Sequence, residues 1–434
     1  MSLSHQIFSR QTFGARAVAV EALSTVLRRH QPIDDALDLS DIAEERDRGF
    51  ARLLLATTLR RLGQIDALIA ACLDHPLPTR AALAHDLIRM GAAQLLFLHT
   101  PAHAAIDTAV EMAKAAGMTG LEKLVNAVLR RLSREGAAML AAQDAERLNT
   151  PDWLWQSWCS AYGEETARAI ARTHQSEAPL DFSVKADAAV WAEQLGAEIL
   201  PTGSLRRRQG GLVPALPGYG DGAWWVQDAA AALPARLFGD VAGKSIADLC
   251  AAPGGKTAQL VAAGADVIAL DRSAKRLNRL ADNLGRLDLT AEIITADAGQ
   301  WTPPALLDGV LLDAPCSATG TLRRHPDAIW NKQPGDVTKL TATQDRLLRA
   351  AVTMLKPGGL LVYCTCSMQP EEGVERIESL LASGAPVRRV PVTPQEVGGL
   401  AEIITAAGDL RTLPCHLAEQ GGMDAFYAAR LERL

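Results

Sequence analysis

The sequence contains no apolar run of the roughly 18 residues that a membrane-spanning helix requires. Its first residues also lack the apolar stretch and small-residue cleavage site of a secretory signal. The seven cysteines are odd in number and scattered over 434 residues, which argues against a disulfide framework. We therefore expect a cytoplasmic protein with reduced thiols, in which the reactivity of individual cysteines is informative.

An excess of positive charge is also missing, because the formal net charge is −6. Proteins that hold nucleic acid by overall charge are rich in lysine and arginine, so any RNA contact here has to be local. Any one arginine cluster, taken alone, is more commonly a solvated surface. The clusters that can serve are Arg130 with Arg131, Arg206 to Arg208, and Arg323 with Arg324 and His325.

The length favours two or three domains. Apolar residues recur at three- and four-residue spacing with few breaks, which predicts an all-helical domain over residues 1–145. Residues 146–238 mix tryptophan with proline and glycine, and this texture favours a small α+β linker domain. Over residues 239–434 short apolar strands alternate with helices, a pattern typical of a parallel, doubly wound α/β sheet.

The segment DLCAAPGGKT, from Asp248 to Thr257, ends a predicted strand in a glycine-containing turn before a helix. Glycines let the backbone approach a ligand closely, and a helix N-terminus offers free N–H groups. This combination is typical of a nucleotide-like cofactor cradle. A P-loop also ends in Gly-Lys-Thr, but its spacing requires glycine where Cys250 stands. The sequence therefore disfavours ATP or GTP as the ligand.

Acidic residues follow the next two predicted strands. Asp271 stands where an acid holds the ribose hydroxyls in dinucleotide folds. Asp297 stands after the third strand, where a carboxylate can accept a hydrogen bond from an adenine amino group. Each aspartate alone is more commonly a helix cap. Their succession at strand ends favours a cofactor, because ligands of such sheets bind at the carboxyl ends of the strands.

The fourth and fifth strands end in cysteine-containing loops, with DAPC at Asp313 to Cys316 and CTC at Cys364 to Cys366. A zinc site is disfavoured, because one residue separates the last two cysteines and no histidine pair follows at finger spacing. Two thiols are thus expected to converge on one crevice. The other cysteines are interpreted as buried and inert: Cys72, Cys159, Cys250, Cys364 and Cys415.

Together, DLCAAPGGKT, LLDAPCSATGTLRRHPD and YCTCSMQPEE resemble the RNA cytosine-C5 methyltransferases of the NOL/NOP/Sun family, and within it the bacterial small-subunit rRNA group called Sun, Fmu or RsmB. The likeness extends over almost the whole chain, since the N-terminal helices resemble a NusB-type RNA-binding domain. It implies a Rossmann-like class I methyltransferase sheet preceded by that domain and the linker. It also implies S-adenosylmethionine as cofactor and RNA, foremost 16S rRNA, as partner, with no metal and no particular oligomer.

The resemblance further implies roles for single residues. It makes Cys366, of the TCS motif, the nucleophile and Cys316 the thiol that assists product release. Asp313 is implied beside both the cofactor and the pyrimidine, Asp271 at the ribose and Asp297 at the adenine. The implied cofactor loop consists of Cys250, Ala251, Ala252, Pro253, Gly254, Gly255 and Lys256.

Elementary chemistry supports these roles. C5 of cytosine is a poor nucleophile until a thiolate adds to C6 and makes C5 enamine-like. Cysteine suits that addition because it attacks and leaves readily, and an acid such as Asp313 can protonate or hydrogen-bond N3 as charge builds there. A stacked base cannot present both carbons, so we expect an extruded cytidine, with Arg323, Arg324 and His325 as candidate RNA contacts.

The chain departs from the family pattern at Ser183, where arginine is common, at Cys364, where alanine is usual, and at Gly373, where asparagine is usual. Three alternatives stay open. The same chemistry can act on tRNA or another RNA, although the NusB-like part favours rRNA. A non-catalytic assembly factor is disfavoured by the intact reacting groups. A DNA cytosine methyltransferase predicts the nucleophile in the Pro-Cys motif, at Cys316 instead of Cys366.

Overall fold

The computed structural model describes residues 7–208 and 210–434. They form two compact units, of which the first runs to Ser176 and includes Arg324–Lys332. The second combines Glu177–Arg323 with Gln333–Leu434. None of the described helices is long and apolar enough to cross a membrane. The finer division into three domains, with boundaries after residues 145 and 238, stays a prediction.

The helices in chain order are α1 (Arg10–Arg29), α2 (Ile33–Ala36), α3 (Glu45–Arg60), α4 (Leu62–Ala71), α5 (Ala82–Leu96), α6 (Ala102–Ala115), α7 (Leu121–Ala141), α8 (Ala145–Leu148), α9 (Asp152–Tyr162), α10 (Glu164–His174), α11 (Ala188–Leu195), α12 (Leu233–Arg236), α13 (Gly255–Ala262), α14 (Ala274–Arg286), α15 (Ala328–Asn331), α16 (Pro334–Thr353) and α17 (Val374–Ala382).

The strands are β1 (Leu180–Val184), β2 (Glu198–Ile199), β3 (Leu205–Arg207), β4 (Trp224–Val226), β5 (Ser245–Leu249), β6 (Asp266–Asp271), β7 (Glu292–Thr295), β8 (Leu307–Asp313), β9 (Leu355–Thr365), β10 (Val387–Arg389), β11 (Leu410–Arg411) and β12 (Tyr427–Arg433).

The first unit is built from helices, as the apolar periodicity predicts. In α7, for example, Val125, Leu129 and Leu132 recur at helical spacing and are buried in the shared core. Trp330 of α15 packs against the same core, and its indole N–H donates to the carbonyl of Leu59 at 2.8 Å. The segment Arg324–Lys332 therefore completes the helical unit, although its place in the chain is between β8 and β9.

The second unit contains a small antiparallel sheet in the order β2-β3-β1-β4. Phe182, Leu205 and Trp224 point from three of its strands into a core of their own and are fully buried. Aromatic and branched residues stabilise such a sheet by packing across strands. This finding agrees with the α+β texture of the sequence between the helical part and the larger sheet.

The larger sheet has the order β10-β12-β9-β8-β5-β6-β7, with β11 paired to β12. Strands β5 to β9 pair in parallel, as predicted, but β12 runs antiparallel to β9, β10 and β11. The sheet is thus mixed. Both of its faces are covered, because Ile246 and Leu311 lie in one core cluster while Ala247 and Leu312 lie in another. The carboxyl ends of the parallel strands share one edge.

Candidate active site

The turn between β5 and α13 has the features expected of a cofactor cradle. Cys250 and Gly254 both have positive φ, at 64° and 104°. A Cβ at Gly254 would lie 2.9 Å from Cγ of Leu280, so glycine is required by conformation and by space. Gly254 precedes α13 without a side-chain cap, which leaves the N–H groups of its first turn to a ligand.

Asp248, the last residue but one of β5, lies beneath this turn and is almost completely buried. Its Oδ2 accepts a hydrogen bond from the hydroxyl of Thr257 at 2.6 Å. Burial raises the pKa of Asp248 to about 7, because the charged form is poorly solvated there. Sequence reasoning used Asp248 only as the start of a motif and did not foresee a titrating interior group.

Of the two aspartates assigned to the ribose and the adenine, Asp271 is the last residue of β6 and Asp297 follows the end of β7 by two residues, as expected from their positions in the sequence. Asp271 is buried, accepts from the N–H of Ser273 at 2.9 Å and pairs with Arg276 at 2.9 Å. Asp297 is more open, and Arg346 donates to its two oxygens at 2.9 and 3.1 Å. The Arg346 guanidinium holds the pKa of Asp297 below its usual value.

Lys256 connects the cofactor turn with the end of β8. Its amine donates to Oδ2 of Asp313 at 2.7 Å and lies 4.8 Å from the ring centre of Phe426. Burial alone lowers the pKa of a lysine, but the negative charge of Asp313 outweighs it and raises the pKa of Lys256. Lys256 was predicted to belong to the cofactor loop, but its ion pair with Asp313 was not predicted, because the two residues are 57 positions apart in the sequence.

The thiols of Cys316 and Cys366 lie 3.5 Å apart, at the ends of neighbouring strands. The hydrogen bond to Cys366, followed by burial, raises the pKa of Cys316 well above its ordinary value. Cys364 is buried, as expected, and its sulfur lies 3.6 Å from Oδ1 of Asp313. Burial, with the charge of Asp313, raises the pKa of that thiol as well. The remaining cysteines interpreted as buried are all partly exposed: Cys72, Cys159, Cys250 and Cys415.

Backbone hydrogen bonds join the loop of Cys316 to the loop of Cys366. The N–H of Gly320 donates to the carbonyl of Cys366 at 2.9 Å, and the Gly320 carbonyl accepts from Ala425 at 2.9 Å. A Cβ at Gly320 would approach the Cys366 carbonyl oxygen to 2.9 Å and collide with Ala425. The close approach of the two cysteine loops therefore requires glycine at this position.

The arginine clusters divide into buried and accessible members. Arg206 is buried against Asp181, with bonds of 2.6 and 2.7 Å, and Arg323 is buried against Asp228 at 2.9 Å. Arg206 and Arg323 were candidates for RNA contacts, each in a cluster that is more commonly a solvated surface, and neither is at the surface because both guanidinium groups are bound inside the second unit. Arg208 and His325 are exposed, while Arg207 and Arg324 are half-buried.

Ser183, which replaces the arginine common in the family, is also buried. Its hydroxyl donates to Oε1 of Gln227 at 2.8 Å. The side chain at this position is therefore used within the second unit. Among residues 7–208 and 210–434, no group of three or more histidine, cysteine, aspartate or glutamate side chains is arranged to hold a metal ion.

Comparison with known proteins decides the family. The profile described as "16S rRNA methyltransferase RsmB/F" matches residues 238–432. Ribosomal RNA small subunit methyltransferase B of Pseudomonas syringae pv. tomato is 36% identical over 96% of this chain and 97% of that protein. The protein of the same name from Vibrio cholerae is 36% identical over 88% of this chain and 92% of its own. The chain belongs to the RsmB/F family of rRNA methyltransferases.

The fold of this RsmB/F chain is likewise found among solved structures. The crystal structure of PH0851 superimposes with a TM-score of 0.76 at 22% identity, covering 98% of this chain and all of that one. A methyltransferase homologue from Pyrococcus horikoshii gives 0.53 at 24% identity, over 70% of this chain and 98% of its own. The NusB family profile matches residues 14–134, within the helical unit.

The RsmB/F family uses S-adenosylmethionine, which supplies the transferred methyl group from its sulfonium. The residues of this chain fit S-adenosylmethionine. The uncapped start of α13 can accept an anionic portion, and the buried carboxylate of Asp271 can accept hydrogen bonds from hydroxyls. Asp313 ends β8, which pairs with β5 on one side and with β9 on the other, so it lies between the turn after β5 and Cys366 after β9.

Proposed function

We propose that this RsmB/F chain methylates C5 of a cytosine in small-subunit rRNA, with Cys366 as the covalent nucleophile. The observation that carries the proposal is the 3.5 Å approach of Cys316 and Cys366 beside the Lys256–Asp313 pair. A thiol for attack, a second thiol for release and a carboxylate for the ring nitrogen are the groups that this reaction needs. These three groups lie at the carboxyl ends of β8 and β9.

In the first step Cys366 gives up its proton and its sulfur bonds to C6. The electrons of the C5–C6 double bond are then available at C5, and negative charge develops towards N3. Asp313 is proposed to face N3 and to take up the proton that Cys366 releases, sharing it with N3 while negative charge develops there; Lys256 lies beside the same carboxyl group. C5 would then take the methyl group, with the electrons of the broken methyl–sulfur bond remaining on the sulfur of S-adenosylmethionine.

In the second step C5 loses its proton to a base, the double bond re-forms and the bond from C6 to Cys366 breaks. The raised pKa keeps Cys316 as a thiol at neutral pH, so it can donate to the departing sulfur 3.5 Å away. That arrangement supports Cys316 as the group that assists release. It also makes Cys316 a poor nucleophile, because the thiolate is the attacking form.

The proposed cofactor contacts are the turn from Cys250 to Lys256, Asp271 at the ribose, Asp297 at the adenine and Asp313 near the methyl group. Arg346 occupies the Asp297 carboxylate, so an adenine amino group shares that acceptor or displaces the guanidinium. The names of the relatives support small-subunit rRNA as substrate, and the NusB match supports RNA binding by the helical unit. An rRNA substrate also supports the cytoplasm as the place of action.

The test measures transfer of labelled methyl from S-adenosylmethionine to small-subunit rRNA, followed by identification of the modified base. Wild type, Cys366→Ala and Cys316→Ala are compared, with Cys415→Ala as a control at a partly exposed cysteine outside the proposed site. We expect 5-methylcytosine from wild type and the control and none from Cys366→Ala. Cys316→Ala is expected to accumulate a covalent RNA adduct, because release is blocked after addition.

Each other outcome selects an alternative. Methyl transfer to tRNA but not to rRNA identifies tRNA as the substrate and contradicts the proposed rRNA substrate. An adduct that depends on Cys316 and not on Cys366 contradicts the assignment of the nucleophile. Cofactor binding without methyl transfer to any RNA supports a non-catalytic assembly factor.

A further inference from the structure

Glu372 carries a fully buried carboxylate that the proposed chemistry leaves without a task. It ends the turn Pro370–Glu372 that follows β9. Burying a carboxylate costs free energy unless donors surround it. Here the donors are neutral: the N–H of Ser317 at 2.8 Å and its hydroxyl, the hydroxyl of Ser367 at 2.6 Å, and the amide of Gln344 at 3.2 Å.

The two serines are the residues that directly follow the two thiols. Ser317 comes after Cys316 and Ser367 after Cys366, so one side chain holds the residue next to each sulfur. We propose that Glu372 is a positioning residue, which fixes the two thiols at their working separation by holding Ser317 and Ser367 on a single carboxylate. The inference rests on the proposed function, because it concerns the thiols of that same reaction.

Glu372 is itself held on the sheet. Its backbone carbonyl accepts from the Tyr363 hydroxyl at 2.8 Å and the Thr365 hydroxyl at 3.2 Å, and both donors are residues of β9. The position of Glu372 is therefore fixed by β9, the strand that leads to Cys366, while its carboxylate contacts Ser317 in the loop after β8. Supporting groups of this kind hold reacting side chains in productive geometry.

The charge of Glu372 acts in the same direction. The hydrogen bond to Cys366 and burial raise the pKa of Cys316 most, and the negative charge of Glu372 raises it further. Glu372 thus favours the thiol form of the group proposed to assist release. A side chain that only filled space would not require a carboxylate.

The test uses Glu372→Gln, which keeps the shape but presents an amide to the serine donors. Glu371→Gln, in the same turn and exposed, is the matched control. Two quantities are measured on the full chain. One is kcat and KM for methyl transfer, and the other is binding of phenylarsine oxide, a trivalent arsenical that bridges two thiols held close together and needs no RNA.

We expect Glu372→Gln to bind the arsenical at least tenfold more weakly and to lower kcat at least tenfold, with KM for S-adenosylmethionine within twofold of wild type. Glu371→Gln should match wild type in both measurements. Wild-type kcat and arsenical affinity in a folded Glu372→Gln overturn the inference. If wild type transfers no methyl group to cytosine, the proposed function fails, and arsenical binding alone then decides the positioning role.

Ser317→Ala and Ser367→Ala carry the test if Glu372→Gln does not fold, since each removes one tie and leaves the carboxylate in place. Each should weaken arsenical binding severalfold. Ser367→Ala should slow adduct formation, whereas Ser317→Ala should slow adduct release. Wild-type arsenical binding in both serine variants contradicts the inference.

Discussion

The burial of Asp248 predicts how the free energy of unfolding changes with pH. Its pKa rises from the ordinary 3.8 to about 7, which corresponds to about 4 kcal/mol at about 1.4 kcal/mol per pKa unit. A folded-state pKa above the unfolded one means that the native chain retains a proton that the unfolded chain releases. The stabilising contribution is therefore complete below pH 3.8 and is lost as pH rises through 7.

Asp248→Asn cannot ionise, while its amide oxygen can still accept from Thr257. Between pH 5 and 8 the wild type should lose about 3 kcal/mol of unfolding free energy that the variant keeps. Hydrogen exchange of β5 peptides, measured by mass spectrometry, reports this loss in the second unit. Comparing both proteins at each pH cancels the change of intrinsic exchange rate, and the ratio of their exchange rates should change roughly a hundredfold.

Asp266→Asn is the matched control, because Asp266 lies exposed at the start of the neighbouring strand β6. Its exchange in β5 should follow wild type at every pH. A ratio of wild type to Asp248→Asn that stays constant from pH 5 to 8 would refute the reasoning, since it means that buried Asp248 holds no extra proton in the native state.

Further predictions concern the ion pair, the glycine contact and the returning segment. Denaturation of Lys256→Met, Asp313→Asn and the double variant should give a coupling energy of about 1–3 kcal/mol, below the roughly 3–5 kcal/mol for breaking a fully buried pair, because Asp313 is 31% exposed. Additive losses would show that the pair contributes nothing. Gly320→Ala should lower kcat at least tenfold by displacing the nucleophile loop, whereas Gly335→Ala, with open space around its Cβ, should not; equal activities contradict the packing argument. Trp330→Ala should destabilise the helical unit by about 2–4 kcal/mol in thermal unfolding, because Trp330 packs on that core, and an unchanged melting curve contradicts that contact.

Much of the second unit is predictable from local patterns. The strands that end at Leu249, Asp271 and Asp313 follow from short apolar runs, and the parallel pairing follows from their alternation with helices. The meeting of Cys316 and Cys366 is predictable as well, because neighbouring parallel strands end at one edge. Each of these inferences needs only sequence spacing and the geometry of a sheet.

What local patterns miss are partners that are distant in sequence. Nothing in the sequence distinguishes Arg206 and Arg323, whose charges are buried on aspartates, from their exposed neighbours. The tie of Lys256 to Asp313 and of Glu372 to both serines also depends on which loops approach one another. The antiparallel β12 required the whole sheet order, because alternating strands and helices indicate only parallel neighbours.

The return of Arg324–Lys332 into the helical unit determines how the protein can be taken apart. A single cut after Ser176 yields an N-terminal fragment that lacks Trp330 and a C-terminal fragment that exposes it. The first fragment lacks part of its own unit, and the second carries a segment that belongs to the other unit. We therefore expect both fragments to be poorly soluble when they are expressed separately. Because Arg324–Lys332 belongs to the helical unit, it has to be transplanted together with the helices in any chimera.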